Sequence, residues 1–273
     1  MNAHAHKEKF GCISHANRVW AVSSIHGELA PLIALHDILA VRWRHGDRLV
    51  YLGNYLGRGP DIKGVLDELL SFRINRLCLA GMTPEDIVYL RGAQEEIWRK
   101  LLQIQLASTP SDVLDWMVKH DIGHTLEAYG ESELEVRKYL REGIVATTKW
   151  TNRLREKMKN YPGHTEILLS LRRAAFTAGN ELLFVHAGID PDCPIADQND
   201  SFWWGNSRFD SIDKLPDGFR LVVRGYDRDH GGIRITPSTA TIDGGCGYGG
   251  SLKAACFTLD GVMDDEISID SPQ

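Results

Sequence analysis

The stretch Val50-Tyr51-Leu52-Gly53-Asn54-Tyr55-Leu56-Gly57-Arg58-Gly59-Pro60 sets one arginine between two glycines, just past an apolar run. A run of this kind ends a buried strand, and open α/β sheets place their ligands on the loop that follows. The guanidinium fork of Arg58 suits phosphate oxygens bidentately, and it suits a carboxylate equally well. Two histidines stand in similar places: His26 lies shortly after Arg18-Val19-Trp20-Ala21-Val22, and His186 follows Leu182-Leu183-Phe184-Val185. With Arg58 they would make a neutral-to-positive pocket able to hold an anion; equally, they would serve as hydrogen-bonding residues at strand ends. Asp227, Asp229 and His230 form an Asp-x-Asp-His set. That set reads either as metal ligands or as a polar, solvated turn before Gly231-Gly232. His4, His6 and His15 read as residues of a tail rather than as a metal site.

The elements that must position these residues follow from periodicity. Residues 18–22 predict a first strand, 23–27 a loop, and 28–40 a helix with apolar positions Leu29, Leu32, Ile33, Leu35 and Leu39. A second strand is expected over 49–52, a second helix over 61–72 and a third strand over 86–90, entered from the turn Gly81-Met82-Thr83-Pro84. From Glu95 to Phe176 the pattern is almost wholly helical, with a stripe at Ile97, Trp98, Leu101, Leu102 and Ile104. Thr109-Pro110-Ser111-Asp112 and Ser132-x-x-Glu135 are helix starts, and helices are expected over 150–158 and 165–176. The chain returns to strand at Glu181-Leu182-Leu183-Phe184-Val185 and again at Leu221-Val222-Val223.

Taken in order, these loops resemble the motifs of the PPP (calcineurin-like) metallophosphoesterase superfamily, which includes the serine/threonine protein phosphatases. The family's Gly-Asp-x-His-Gly stands here as Ser23-Ser24-Ile25-His26-Gly27, and its Gly-Asp-x-Val-Asp-Arg-Gly as Gly53-Asn54-Tyr55-Leu56-Gly57-Arg58-Gly59. Arg-Gly-Asn-His-Glu becomes Arg91-Gly92-Ala93-Gln94-Glu95, His-Ala-Gly is kept at His186-Ala187-Gly188, and Val-Val-x-Gly-His-Thr becomes Val222-Val223-Arg224-Gly225-Tyr226-Asp227. The closing Ile-Asp-Thr-Gly motif resembles Ile242-Asp243-Gly244-Gly245, followed by Cys246-Gly247-Tyr248-Gly249-Gly250-Ser251-Leu252. The resemblance implies a four-layer α-β-β-α fold, a central β-sandwich flanked by helices, spanning 18–273 with a helical insertion over about 95–178 and a disordered tail over 1–17.

It also implies a binuclear metal site and a proton-donating histidine. Carried over by position, the first metal would meet Ser24, His26 and Asn54, and the second Asn54, Ala93, His186 and Tyr226; Gln94 holds the acid position. Arg58 matches the phosphate-clamping arginine, and Arg208, after the cluster Phe202-Trp203-Trp204-Gly205, is a second phosphate-binding candidate. Of these six ligand positions and one acid position, only His26 and His186 keep the family's residue, and no carboxylate remains. Asparagine is a poor bridge, alanine has no donor atom, and glutamine cannot titrate near neutral pH. The expectation is a pseudophosphatase that binds a phosphorylated protein, a nucleotide-like anion or another protein partner without efficient hydrolysis. The alternative is an active phosphoesterase, on phosphoprotein or dinucleoside polyphosphate, with a rebuilt mononuclear site using His26, His186 and Asp227. No cofactor is expected; one divalent manganese, iron or zinc ion is the exception that the alternative requires. The helical insertion is expected to be scaffold or partner surface.

The bulk numbers bound the rest. A chain of 273 residues with 43% apolar content can bury a sizeable core. A net charge of -6 does not suggest a nucleic-acid binder. Cys12, Cys78, Cys193, Cys246 and Cys256 are an odd number without a C-x-x-C pair, which fits reduced thiols in the cytoplasm. No apolar run is long enough to span a membrane, and the polar first residues are not expected to be a signal peptide.

Overall fold

Every residue of the first long strand, Arg18–Val22, is buried, so both faces of the sheet that contains it must be covered. The computed structural model, which describes residues 9–205 and 208–271, shows how. Two sheets lie face to face. One has five strands in the order β11-β10-β2-β3-β4, the other six in the order β1-β5-β6-β7-β9-β8. Strand β2 (Arg18–Val22) runs parallel to β3 (Asp47–Tyr51), which runs parallel to β4 (Ile87–Tyr89). Strands β10 (Ser251–Thr258) and β11 (Met263–Asp270) extend that sheet antiparallel. In the second sheet β6 (Leu182–Val185), β7 (Leu221–Arg224) and β9 (Thr239–Thr241) are parallel neighbours, with β8 (Arg234–Ile235) at the edge.

Alternation along the strands sorts side chains between layers. Val19 and Ala21 meet Phe184, Leu221 and Val223 in the core between the sheets. On the opposite face Trp20 and Val22 join a larger core with helices α1 (Leu29–Arg42) and α2 (Ile62–Leu77). Beyond the second sheet, Leu183, Val185 and Val222 pack under the short helix of Ser201–Trp204 and the turn of Phe209–Ser211. The order of layers is α-β-β-α, as the resemblance implied. The outer layer on the second sheet is thin and built mostly of turns.

Two sequence expectations need correction. Residues 1–8 lie outside the described residues, but the expected tail over 1–17 does not hold beyond them. Phe10–Ile13 is strand β1, paired parallel to β5 (Ala174–Thr177) with Phe10 opposite Ala174. The helical insertion also ends earlier than 178. Its helices α3 (Ala93–Leu101), α4 (Pro110–Val118), α5 (Ile122–Ala128), α6 (Glu133–Arg141), α7 (Ile144–Lys159) and α8 (His164–Ser170) are followed by strand, not helix. Alanine-rich Ala174-Ala175-Phe176 has local helix propensity, and pairing with both β1 and β6 overrides it. The two helix starts stand: Thr109 precedes Pro110 at the head of α4, and the Ser132 hydroxyl accepts the Glu135 N–H at 3.3 Å.

The insertion is not a separate lobe. Trp98, Leu114, Leu126, Trp150 and Leu154 share one core with Leu32 and Leu66 of α1 and α2. The Tyr129 hydroxyl meets His164 Nδ1 at 2.9 Å, and His164 Nε2 meets Asp67 of α2 at 3.1 Å, tying the insertion to the sheet-facing helices. No disulfide is present; all five cysteines are free thiols. Among the described residues no helix is long and apolar enough to cross a membrane.

Candidate functional site

The parallel strands end together. Val22 pairs with Tyr51 and Tyr51 with Tyr89 in one sheet; Val185 pairs with Arg224 and Arg224 with Thr241 in the other. The loops that follow therefore meet at one edge of the sandwich, stitched across it by Ser24 N–H to the Gly225 carbonyl (3.1 Å). His186 Nδ1 meets the Leu52 carbonyl there at 2.7 Å, which makes it the protonated, donating nitrogen. A cavity of about 740 Å³ opens at this edge, lined by His26, Asn54, Arg58, Ala93, Gln94 and Tyr226 among others. A larger groove of about 1280 Å³ lies elsewhere, around Trp43, Arg48, Arg73 and Pro84, and contains none of these residues.

Glu95 builds the loop that carries Asn54. Its carboxylate is buried and accepts four backbone N–H groups: Asn54 and Gly92 on Oε2, Tyr55 and Leu56 on Oε1. Burial raises its pKa from the ordinary carboxylate range, against the pull of those four bonds. Both Asn54 (φ 55°) and His26 (φ 54°) are held in the left-handed region, which asparagine and histidine enter more readily than most non-glycine residues.

At the family's metal positions stands a neutral hydrogen-bonded cluster. Asn54 Nδ2 reaches Ser24 Oγ at 3.4 Å and His26 Nε2 at 3.2 Å, while Asn54 Oδ1 accepts the Gln94 N–H at 3.0 Å. Burial lowers the His26 pKa to about 3, helped by His186, His230 and Arg58; burial lowers that of His186 to about 4. Both imidazoles are therefore neutral at physiological pH. Tyr226 stacks on His186 with ring centres 5.3 Å apart, and burial pushes its phenol up to about 12, so it is neutral too. Ala93 contributes no donor.

These residues do not fit a binuclear metal centre. Four positive charges would meet no carboxylate at the carried-over positions, and among the described residues no three His, Cys, Asp or Glu side chains gather as a metal site. Asp227 does not complete a set with His26 and His186: its carboxylate is paired with Arg224 (3.1 Å) and with Arg234. His230 is turned onto Asp243, with Nδ1 2.8 Å from Oδ2, which raises its pKa. Asp229 is exposed on the cavity rim. His186 alone keeps the pose of a ligand, one nitrogen donating to a carbonyl and the other, Nε2, buried without a partner.

Arg58 reaches the cavity, as expected, but its partner there is a carboxylate. Nη1 lies 2.9 Å from Asp121 Oδ2, Nε donates to the Gly247 carbonyl at 3.0 Å, and the guanidinium sits over Tyr248 at 4.3 Å. Arg208 does not line the cavity; its neighbours Phe209 and Asp210 do. A second guanidinium at the cavity, that of Arg224, is buried, 4.2 Å over Phe209 and bonded to Thr241 Oγ1 at 2.8 Å. Arg91 is held at Glu96, 3.4 Å away. Gln94, at the acid position, donates from Nε2 to the His120 carbonyl at 3.0 Å and thereby tethers the α4–α5 turn to α3. Lys119, Asp121, Arg228, Arg234, Trp204 and Tyr248 also line the cavity, and sequence reasoning missed them as site residues. Tyr248 had a signal, an aromatic between Gly247 and Gly249 at a strand end; Lys119 and Asp121 sit between two helices and had none.

Two facing sheets with the motif loops on one shared edge make an α-β-β-α fold of the calcineurin-like metallophosphoesterase type. No protein-family model and no curated protein matches the sequence. Solved structures do match the fold. One described as a "putative diadenosine tetraphosphatase" is 20% identical, with TM-score 0.55 over 96% of this chain and 98% of its own. A protein serine/threonine phosphatase from Saccharomyces cerevisiae is 12% identical, with TM-score 0.52 over 99% and 88%. A cold-active protein-tyrosine phosphatase of a psychrophilic Shewanella species is 12% identical, with TM-score 0.50 over 97% and 84%. At these identities the likeness shows the fold alone.

Proposed function

We propose that this chain binds a phosphate-bearing anion at the shared sheet edge without hydrolysing it efficiently. The observation that carries the reading is the neutral Ser24–Asn54–His26 cluster standing where the fold's enzymes need anionic ligands. Nothing in that cluster can neutralise divalent cations, and Gln94 at the acid position spends its amide on the His120 carbonyl. Cationic groups remain for recognition. Arg58, Arg228 and Lys119 line the cavity, and Lys119 and Arg228 make no ion pair among the described residues. Trp203 and Trp204 supply apolar wall. Neighbours described as phosphatases of proteins and of a dinucleoside polyphosphate point to phosphoprotein or nucleotide-like ligands.

The test pairs binding with turnover. Calorimetry with pyrophosphate should show binding, and p-nitrophenyl phosphate should not be turned over, with or without added manganese. Manganese-dependent turnover abolished by His186→Asn would overturn this reading in favour of a working phosphoesterase. That second reading draws on one observation, the unpartnered Nε2 of His186.

A further inference from the structure

The phosphate-clamp position is already filled by the protein's own anion. Asp121 lies 63 residues from Arg58 in sequence and approaches it from the turn between α4 and α5. Its carboxylate takes Nη1 while the Gly247 carbonyl takes Nε, so two faces of the fork that a phosphate would use are occupied from within. Asp121 holds φ 67°, a left-handed conformation that aspartate and asparagine adopt more readily than most residues. Both ends of the pair are partly open to solvent, with 37% of the Arg58 side chain and 26% of the Asp121 side chain exposed. Among the described residues, the hydrogen bonds that join the turn to the site are this pair and one from Gln94 to the His120 carbonyl. Lys119, His120 and Asp121 all line the cavity.

We propose that Asp121 is a built-in competitor: the helical insertion docks a carboxylate on Arg58, and an incoming phosphoryl group binds by displacing it. This rests on the anion-binding reading above and adds its regulation. The insertion would then be a gate over the pocket rather than scaffold alone. Any partner that draws the α4–α5 turn away from the cavity would open the site.

The experiment is calorimetric titration with pyrophosphate at low ionic strength. Asp121→Asn keeps the left-handed turn, which asparagine tolerates well, and removes the competing charge. It should bind at least about tenfold tighter than the wild-type chain, a difference of one decade in affinity. Asp229→Asn removes the same charge from the same cavity without removing a bond to Arg58, and should gain less than about threefold, as an exposed, solvent-screened charge would. Adding Arg58→Gln to Asp121→Asn should erase the gain. Equal affinity of wild type and Asp121→Asn, both measurable, overturns the competitor and leaves anion binding standing. An equal gain from Asp229→Asn also overturns it, because net charge would then explain the effect. No binding by any variant removes both readings together. If Asp121→Asn fails to fold, Asp121→Gly, whose backbone accepts φ 67° without strain, takes its place.

Discussion

Individual residues in this site divide into those that hold the loops and those that face the cavity, and substitution should separate them. Glu95 belongs to the first group. Each of its oxygens accepts two backbone N–H groups, so Glu95→Gln turns an NH₂ donor against two donors whichever way the amide sits. The change is isosteric, yet it should destabilise the fold by about 2–4 kcal/mol, the cost of leaving buried donors unmade; urea unfolding measures it. Arg58 belongs to the second group. Its pair with Asp121 is partly exposed, so Arg58→Ala should cost about 1 kcal/mol or less in stability. Pyrophosphate binding should be lost in the same variant. A large fall in melting temperature with unchanged binding would make Arg58 a purely structural residue. The two arginines also show what sequence could and could not say. Glycines on both sides of Arg58 marked its loop, whereas the direction of Arg224 was set by Asp227, Asp210 and Phe209, which no local pattern announces. Arg208 was singled out from its tryptophans, and only the fold shows that it lies off the cavity.

At the scale of elements, the strands with strong patterns were legible and the weak ones were not. Arg18–Val22 and Leu182–Val185 are short apolar runs bounded by polar residues, and both formed strands where expected. Phe10–Ile13 contains a glycine and a cysteine and stands beside polar residues, so nothing local distinguished it from a tail. Its reason to be a strand is its partner β5, more than 160 residues away. The first two helices were visible from their apolar spacing, but their mutual lock was not. His36 of α1 stacks on Phe72 of α2 at 3.9 Å, faces the Tyr51 hydroxyl of β3 at 2.8 Å through Nε2, and donates from Nδ1 to Glu68. Burial lowers its pKa from 6.5, and the Glu68 carboxylate offsets only part of that. The unfolded chain then takes up a proton that the folded chain refuses, so this contribution to stability is full above pH 6.5 and lost as pH falls below it. Urea midpoints measured from pH 7.5 to 4.5 should decline, and His36→Gln should decline less steeply. An unchanged slope in that variant would assign the acid sensitivity to other groups.

For the whole molecule, the question is whether the insertion is a module that could open, or part of one cooperative body. Its helices α3 to α8 supply Trp98, Leu114, Leu126, Trp150 and Leu154 to the same core that buries Trp20 of β2 and Leu66 of α2. Each large apolar side chain buried there contributes about 1.5–3 kcal/mol, so detaching the whole insertion would cost about as much as a domain's entire stability. Opening must therefore be confined to something smaller, and the α4–α5 turn, with one ion pair and one hydrogen bond to the site, is the segment so placed. Two thiol and tryptophan probes test this. Cys256 is buried in β10, far along the chain from the insertion, and Trp150 is buried within it. In urea, loss of Cys256 protection from a thiol reagent, read by mass spectrometry, should share its midpoint with the loss of hydrogen-exchange protection at the Trp150 amide. Coincidence leaves the local turn as the moving part and makes Asp121 the residue on which access depends. A lower midpoint for the Trp150 amide would mean that the insertion unfolds first, and that the cavity is uncovered by local unfolding rather than by displacement of one carboxylate.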